Sequence, residues 1–135
     1  MREIKHIVVH CSATDGKTTR AETILKNAKE KGEINPPYHK VIDWNGKTTT
    51  FAEDDIICNG VKGHNKDSLH VCYTGGTNDE DTRTIAQKTT LFDVLKNWKQ
   101  KYPTASILGH RDFEGVKKSC PCFDAKTEYN QILSK

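Results

Sequence analysis

Hydrophobic positions alternate along some stretches of this chain and recur every three or four residues along others. Ile4 to Cys11 alternates and is rich in β-branched residues, which predicts a strand buried on at least one face. Thr19-Arg-Ala-Glu22 has the form of a helix-capping box. Ala21, Ile24, Leu25 and Ala28 follow at helical spacing until Gly32 stops the helix. Tyr38 to Trp44 and Lys47 to Phe51 read as two strands joined by Asn45-Gly46, a strong hairpin signal. Glu53 to Lys66 has no period and reads as an irregular surface loop. Ser68 to Tyr73 is a further buried strand, ended by Gly75-Gly76. A second capping-box form, Thr84-Ile-Ala-Gln87, opens a long helix with Ile85, Phe92, Leu95 and Trp98 on one face and Pro103 beyond its end. Ala105 to Gly109 is a short strand leading into His110. Asp124 caps a last helix, docked by Tyr129, Ile132 and Leu133.

Strands and helices thus alternate around one hairpin. This predicts an α/β fold: a single domain over residues 1–135, with a mixed central β-sheet flanked by helices. A chain of 135 residues buries roughly two thirds of its unfolded surface, enough for a core without staples.

Charge and cysteine content narrow the function. The net charge of +3 fits weak attraction to anionic surfaces such as cell wall and is too diffuse for nucleic acid. No apolar run approaches the ~20 residues of a membrane span, so no membrane insertion is expected. The segment from Met1 to His10 is too short and too polar for a signal peptide. Synthesis in the cytoplasm is therefore expected, with release needed for any action outside. Five cysteines (Cys11, Cys58, Cys72, Cys120 and Cys122) without an export signal suggest free thiols plus a metal ligand rather than a disulfide framework.

The chemistry concentrates between Gly109 and Asp124, which holds His110, Lys118, Cys120 and Cys122. Imidazole and thiolate are donors that zinc prefers. One loop with a His and a Cys is half a site, and His10 at the end of the first strand is the candidate for the rest. His6 shares its strand face but lies ~13 Å away along an extended strand, so both cannot bind one ion. With His10 and His110 at the ends of neighbouring strands, Cys120 can close on them. Three protein ligands then leave a fourth position for water, the catalytic kind of zinc site. Lys118 points with Cys120 if the segment is extended, and Tyr38 begins a strand that can end nearby. Spacing alone does not single out either residue. If Cys122 joined the other three ligands, the site would be closed and structural. A cysteine hydrolase built on Cys11 or Cys120 lacks a clear orienting third group.

Several of these segments, in order, resemble the zinc-dependent N-acetylmuramoyl-L-alanine amidases of bacteriophage lysins and the related peptidoglycan recognition domains. They are His10-Cys-Ser-Ala-Thr14, Tyr38-His39-Lys-Val-Ile42, Gly63-His64-Asn65-Lys-Asp-Ser68 with Gly75-Gly76, Gly109-His110-Arg-Asp112, and Lys118-Ser-Cys120-Pro-Cys122-Phe-Asp124. The resemblance implies one zinc per chain on His10, His110 and Cys120, set in a surface groove. It implies Tyr38 and Lys118 as catalytic residues. It also implies hydrolysis of the amide between the lactyl group of N-acetylmuramic acid and L-alanine, on peptidoglycan or muropeptides, by a monomer. A non-catalytic peptidoglycan-binding module or a structural zinc domain of the same fold is the alternative. The chain also departs from the pattern. Gly60 stands where a His is common in a His-x-x-Gly-x-Asn motif, and Leu69-His70 replaces Ile-Gly. Asn27-Ala28 replaces Trp-His, and Pro36-Pro37 replaces Ile-Gly. These four places are expected near the substrate groove, outside the metal shell.

Overall fold

The computed structural model describes residues 2–133. Five strands form one sheet, in the order β3-β2-β4-β1-β5: β1 (His6–Cys11), β2 (Lys40–Ile42), β3 (Thr48–Thr50), β4 (Ser68–Tyr73) and β5 (Ser106–Gly109). β1 is central and pairs in parallel with β4 and β5. β4 pairs in parallel with β2, and only the edge strand β3 is antiparallel. The sheet is mixed, as expected. The Asn45-Gly46 hairpin forms too, with Gly46 at φ +88°, a conformation that glycine adopts without steric cost.

Strand alternation sorts the side chains onto two faces. Ile7, Val9 and Cys11 of β1, Leu69, Val71 and Tyr73 of β4, with Ile42 and Ile107, form the larger core. Helices α2 (Ile85–Lys101) and α3 (Ala125–Leu133) cover it with Leu91, Val94, Leu95, Trp98, Ala125 and Tyr129. Each such aliphatic residue, fully buried, contributes about 1.5–3 kcal/mol of transfer free energy. On the other face, Val41 and Cys72 meet Ala21 of α1 (Ala21–Glu30), while Val8 meets Val61 and Phe113. His10, His70 and Cys72 share that second face by the same alternation.

Two helix starts differ in how they are capped. Thr84 forms the expected box: its hydroxyl accepts from the Gln87 N–H at 3.0 Å, and the Gln87 side chain accepts from the Thr84 N–H at 3.0 Å. The box read at Thr19 does not form. The N-cap of α1 is Arg20, with no side-chain bond, and the orphan N–H of Ala21 donates to Asp43 Oδ1 at 2.9 Å. The cap therefore comes from the end of β2 and ties α1 to the sheet. Ile85, expected on the buried face of α2, is 85% exposed at the first position of the helix; Gln87 and Leu91 take the inward side. Asp124 caps α3 through the Thr127 N–H at 3.1 Å, and Tyr129 is buried. The side chains of Ile132 and Leu133 lie outside the described residues.

The irregular loop before β4 is pinned by Arg2, a residue with no apparent sequence signal. Its guanidinium donates to the carbonyls of Asp54 (2.6 Å), Ile56 (3.0 Å), Lys66 (3.0 Å) and Ser68 (3.1 Å). His39 is fully buried in this region. Its Nδ1 accepts from the His70 backbone N–H at 3.0 Å, and its Nε2–H donates to the Ile56 carbonyl at 2.7 Å.

That environment generates a pH dependence. Burial pushes the His39 imidazole down to about 4 from 6.5, against a smaller opposing effect of the Ile56 carbonyl. Between those values the unfolded chain binds the extra proton and the folded one does not, so stability falls as pH drops from about 7 to 4. Replacing His39 with Asn keeps an acceptor for the His70 N–H and removes the titration. His39→Asn should lose up to about 1.4 kcal/mol per pH unit of the stability slope in that window. Guanidinium denaturation from pH 7 to 4.5 measures it, and a slope equal to wild type would refute the assignment.

Candidate metal centre

The site follows from the pairing of β1 with β5. Val9 lies opposite Gly109, so the next residues, His10, still paired with β4, and His110, just past the end of β5, come side by side. Their ring centroids are 4.9 Å apart. His10 is buried, and His110, opening a single turn of 3-10 helix over His110–Asp112, is half-buried. The chain then loops out and returns. The Arg111 N–H donates to the Cys120 carbonyl at 2.8 Å, the Cys122 N–H to Ser119 O at 2.7 Å, and the Tyr73 hydroxyl to Pro121 O at 2.7 Å. These bonds bring Cys120 against the end of β1, where its Sγ accepts from the Cys11 N–H at 3.1 Å.

One nitrogen of each imidazole and Cys120 Sγ lie within 4.8 Å of one another, and Sγ is 4.0 Å from His10 Nδ1. Zinc bonds of ~2.0–2.1 Å to nitrogen and ~2.3 Å to sulfur in a tetrahedron put such donors about 3.5 Å apart. The donor set therefore suits zinc in type and nearly in spacing. Burial pushes the His10 imidazole down, helped by His70, His110 and Lys118. Burial also pushes His110 down, helped by Lys118. Both rings are thus held in the neutral form that offers a lone pair to a metal.

The Cys122 thiol is turned elsewhere. Cys122 Sγ lies 3.6 Å from Cys11 Sγ and 3.7 Å from the Gly76 carbonyl. Its thiol is pushed up to about 12 by burial and by Cys11. The Cys11 thiol is pushed well up by its bond to Cys120 and by burial. Cys122 is not part of the donor group that contains Cys120.

Beside the donors runs a groove of about 520 Å³ between α1 and the loops before β2 and β4. Tyr38 and Lys118 both line it with His110, so the residues read from the sequence meet at one place. Tyr38 packs its ring 4.9 Å from that of His10. Burial, reinforced by nearby thiols, pushes its phenol well up, so the hydroxyl keeps its proton. Lys118 is exposed. Asn27, Ala28, Pro37 and Gly60 line the same groove, as expected for the departures from the family pattern. His6 stays apart, packed edge-on against Phe113 at 5.5 Å, and His64 is exposed.

One expectation holds only in part. His70 lies outside the donor group, as expected, but it is buried instead of lining the groove, with its Nδ1 2.9 Å from His10 Nε2. It is therefore in direct contact with one of the three donors. The missed signal was the parallel pairing of β4 with β1, which sets His70 and His10 on one face two residues out of step.

The sequence profile of the N-acetylmuramoyl-L-alanine amidase family matches residues 1–123. The endolysin of Klebsiella phage KP32 is 33% identical over 140 residues, spanning 98% of this chain and 91% of that protein. Among solved structures, the Ph2119 endolysin from a Thermus scotoductus MAT2119 bacteriophage superposes with a TM-score of 0.84 at 19% identity, covering 100% of this chain and 88% of the other. The bumblebee PGRP-SA superposes at 0.80 with 16% identity, covering 99% and 84%. At these identities the superpositions show a shared fold.

The hold of β4 on the closing loop can be tested at Tyr73. Tyr73→Phe leaves the buried Pro121 carbonyl without its donor, a loss of about 1–3 kcal/mol. A thermal melt should fall accordingly, and amide exchange should rise between residues 111 and 122. A melting temperature unchanged from wild type would show that the bond does not hold the loop.

Proposed function

Because the chain belongs to the N-acetylmuramoyl-L-alanine amidase family, we propose that it hydrolyses the lactyl–L-alanine amide of peptidoglycan with one zinc ion on His10, His110 and Cys120. Tyr38 and Lys118 are its catalytic residues. The observation that carries this reading is the convergence of the three donors beside a groove that Tyr38 and Lys118 also line. All five side chains come from one copy, so a monomer suffices. Among the described residues no helix is long and apolar enough to cross a membrane. The related endolysins fit synthesis in the cytoplasm followed by action on the wall.

Zinc bound in such a set lowers the pKa of a water molecule and polarises a carbonyl oxygen. The chain's own residues prepare the rest. His10 and His110 offer neutral nitrogens, and the Cys11 N–H donates to Cys120 Sγ and supports its thiolate. Two imidazoles and one thiolate carry a single negative charge, which makes for a weaker Lewis acid than three imidazoles. A separate cation near the carbonyl then matters more, and Lys118 supplies it from the groove wall. Tyr38, protonated at neutral pH, donates to the water or to the developing oxyanion. The positions of the Cys122 and Cys11 thiols, turned toward each other, support a three-ligand site over a closed one.

Purified protein should carry one zinc per chain, and His10→Ala or His110→Ala should lose tight zinc binding together with hydrolysis. At the zinc absorption edge, one sulfur near ~2.3 Å and lighter atoms near ~2.0–2.1 Å are expected, and Cys122→Ser should leave that spectrum unchanged. Two sulfurs in the shell would make the site structural. Mass spectrometry of digested wall should show freed L-alanine amino groups on stem peptides and intact glycan.

Lys118→Ala should lower kcat about 10²–10³-fold with zinc retained, whereas Lys117→Ala should stay near wild type. Equal losses from both would withdraw the role of Lys118.

A further inference from the structure

A chain of hydrogen bonds runs inward from the site and has a defined direction. It begins at the Val61 backbone N–H, which can only donate, and does so to Asn65 Oδ1 at 2.7 Å. This identifies that atom as the amide oxygen. His70 Nε2 lies 2.9 Å from the same oxygen, so Nε2 carries the proton. His70 Nδ1 is then a bare acceptor, and at 2.9 Å it accepts a hydrogen bond from His10 Nε2–H. His10 Nδ1 is left with its lone pair on the side of Cys120 Sγ, 4.0 Å away. His39 seals the far end: its ring stacks on His70 at 6.0 Å, and its Nδ1 accepts from the His70 N–H.

The His70 ring has this place because Gly60 has no side chain. A Cβ built on Gly60 would sit 2.2 Å from His70 Nδ1 and 2.4 Å from Cγ. The conformation of Gly60 is open to other residues, so the glycine is there for space. A side chain at 60 and an imidazole at 70 exclude one another. The family pattern has His at the first position and Gly at the second, and this chain has the reverse. Two departures in sequence are one exchange in space.

We propose that His70 is a positioning residue for His10, locking the tautomer and ring plane that present Nδ1 to the metal, and that Gly60 and His70 form a matched pair in which the strand supplies an imidazole that the loop otherwise carries. This rests on the zinc reading of the site. Hydrogen bonds to the far nitrogen of a ligating histidine typically govern metal affinity 10–100-fold. Asparagine at 70 sets its Oδ1 where Nδ1 lies and keeps the acceptor, whereas leucine fills the space without one.

The test measures zinc affinity by chelator competition and the ring nitrogens of His10 by ¹⁵N NMR on the metal-free, full-length protein. Wild type should show His10 protonated at Nε2 and bare at Nδ1. His70→Leu should lose that single tautomer and bind zinc about 10–100-fold more weakly, while His70→Asn should keep the tautomer and stay within about threefold of wild type. Gly60→His alone should weaken zinc at least about tenfold, and Gly60→His with His70→Gly should recover most of it. Wild-type affinity with an unchanged tautomer in His70→Leu would overturn the positioning role, and failure of the double exchange to recover would overturn the pairing. If wild type itself bound no zinc, the metal reading would fall, while the nitrogen shifts would still report on the relay.

Discussion

The parallel pairing of the central strand with both neighbours is the constraint on which the rest depends. β1 is held by β4 over six residues and by β5 over four, and those ladders set the level at which each chain leaves the sheet. Parallel ladders buried on both faces do not slip easily, because a one-residue shift would turn Ile7 and Val9 away from α2 and drive His10 toward the large core. Correct register and correct chemistry are thus one condition. No α-helix carries the three donor residues; His110 only opens a single 3-10 turn. They sit where two strands end and where one loop is folded back onto them by the bonds to Arg111, Tyr73 and Cys11.

The site also shows how a polar cluster is accommodated on a sheet face. His10, His39 and His70 are all fully buried or nearly so. Each finds partners for its ring nitrogens among backbone groups, Asn65 or another ring. Burial pushes all three imidazoles down, His70 to about 3. Neutral rings are cheaper to bury than charged ones, and a neutral ring is also what a metal requires. Arg2, remote in sequence, pins the loop whose Ile56 carbonyl accepts from the His39 ring.

What the sequence revealed divides along the range of the interactions involved. Ser68–Tyr73 was legible because its apolar positions alternate, and the start of α2 because Thr84 and Gln87 complete a local box. The order of motifs was enough to nominate His10, Tyr38, His110, Lys118 and Cys120, and the fold brings them together. The start of α1 misled because its cap comes from Asp43, 22 residues on at the end of β2, rather than from Thr19 nearby. Ile85 misled because, at 3.6 residues per turn, it points away from the face that Gln87, Leu91, Leu95 and Trp98 bury. His70 and Gly60 were seen as two oddities, ten residues apart. Only the crossing of a loop over β4 makes them neighbours, and no periodicity encodes that crossing.

Arg83 carries a consequence for where this domain ends. Its guanidinium is almost wholly buried, lies 3.4 Å over the Phe123 ring, and bonds Asp81, Glu128 and the Tyr129 hydroxyl. Phe123 is three residues past Cys120, so this clamp anchors the exit of the donor loop. The family profile matches residues 1–123, while two of the clamp's partners, Glu128 and Tyr129, lie beyond it. A boundary drawn at the edge of that profile would cut through a unit that physics holds together. The last helix is better regarded as the foundation of the loop than as a tail behind it.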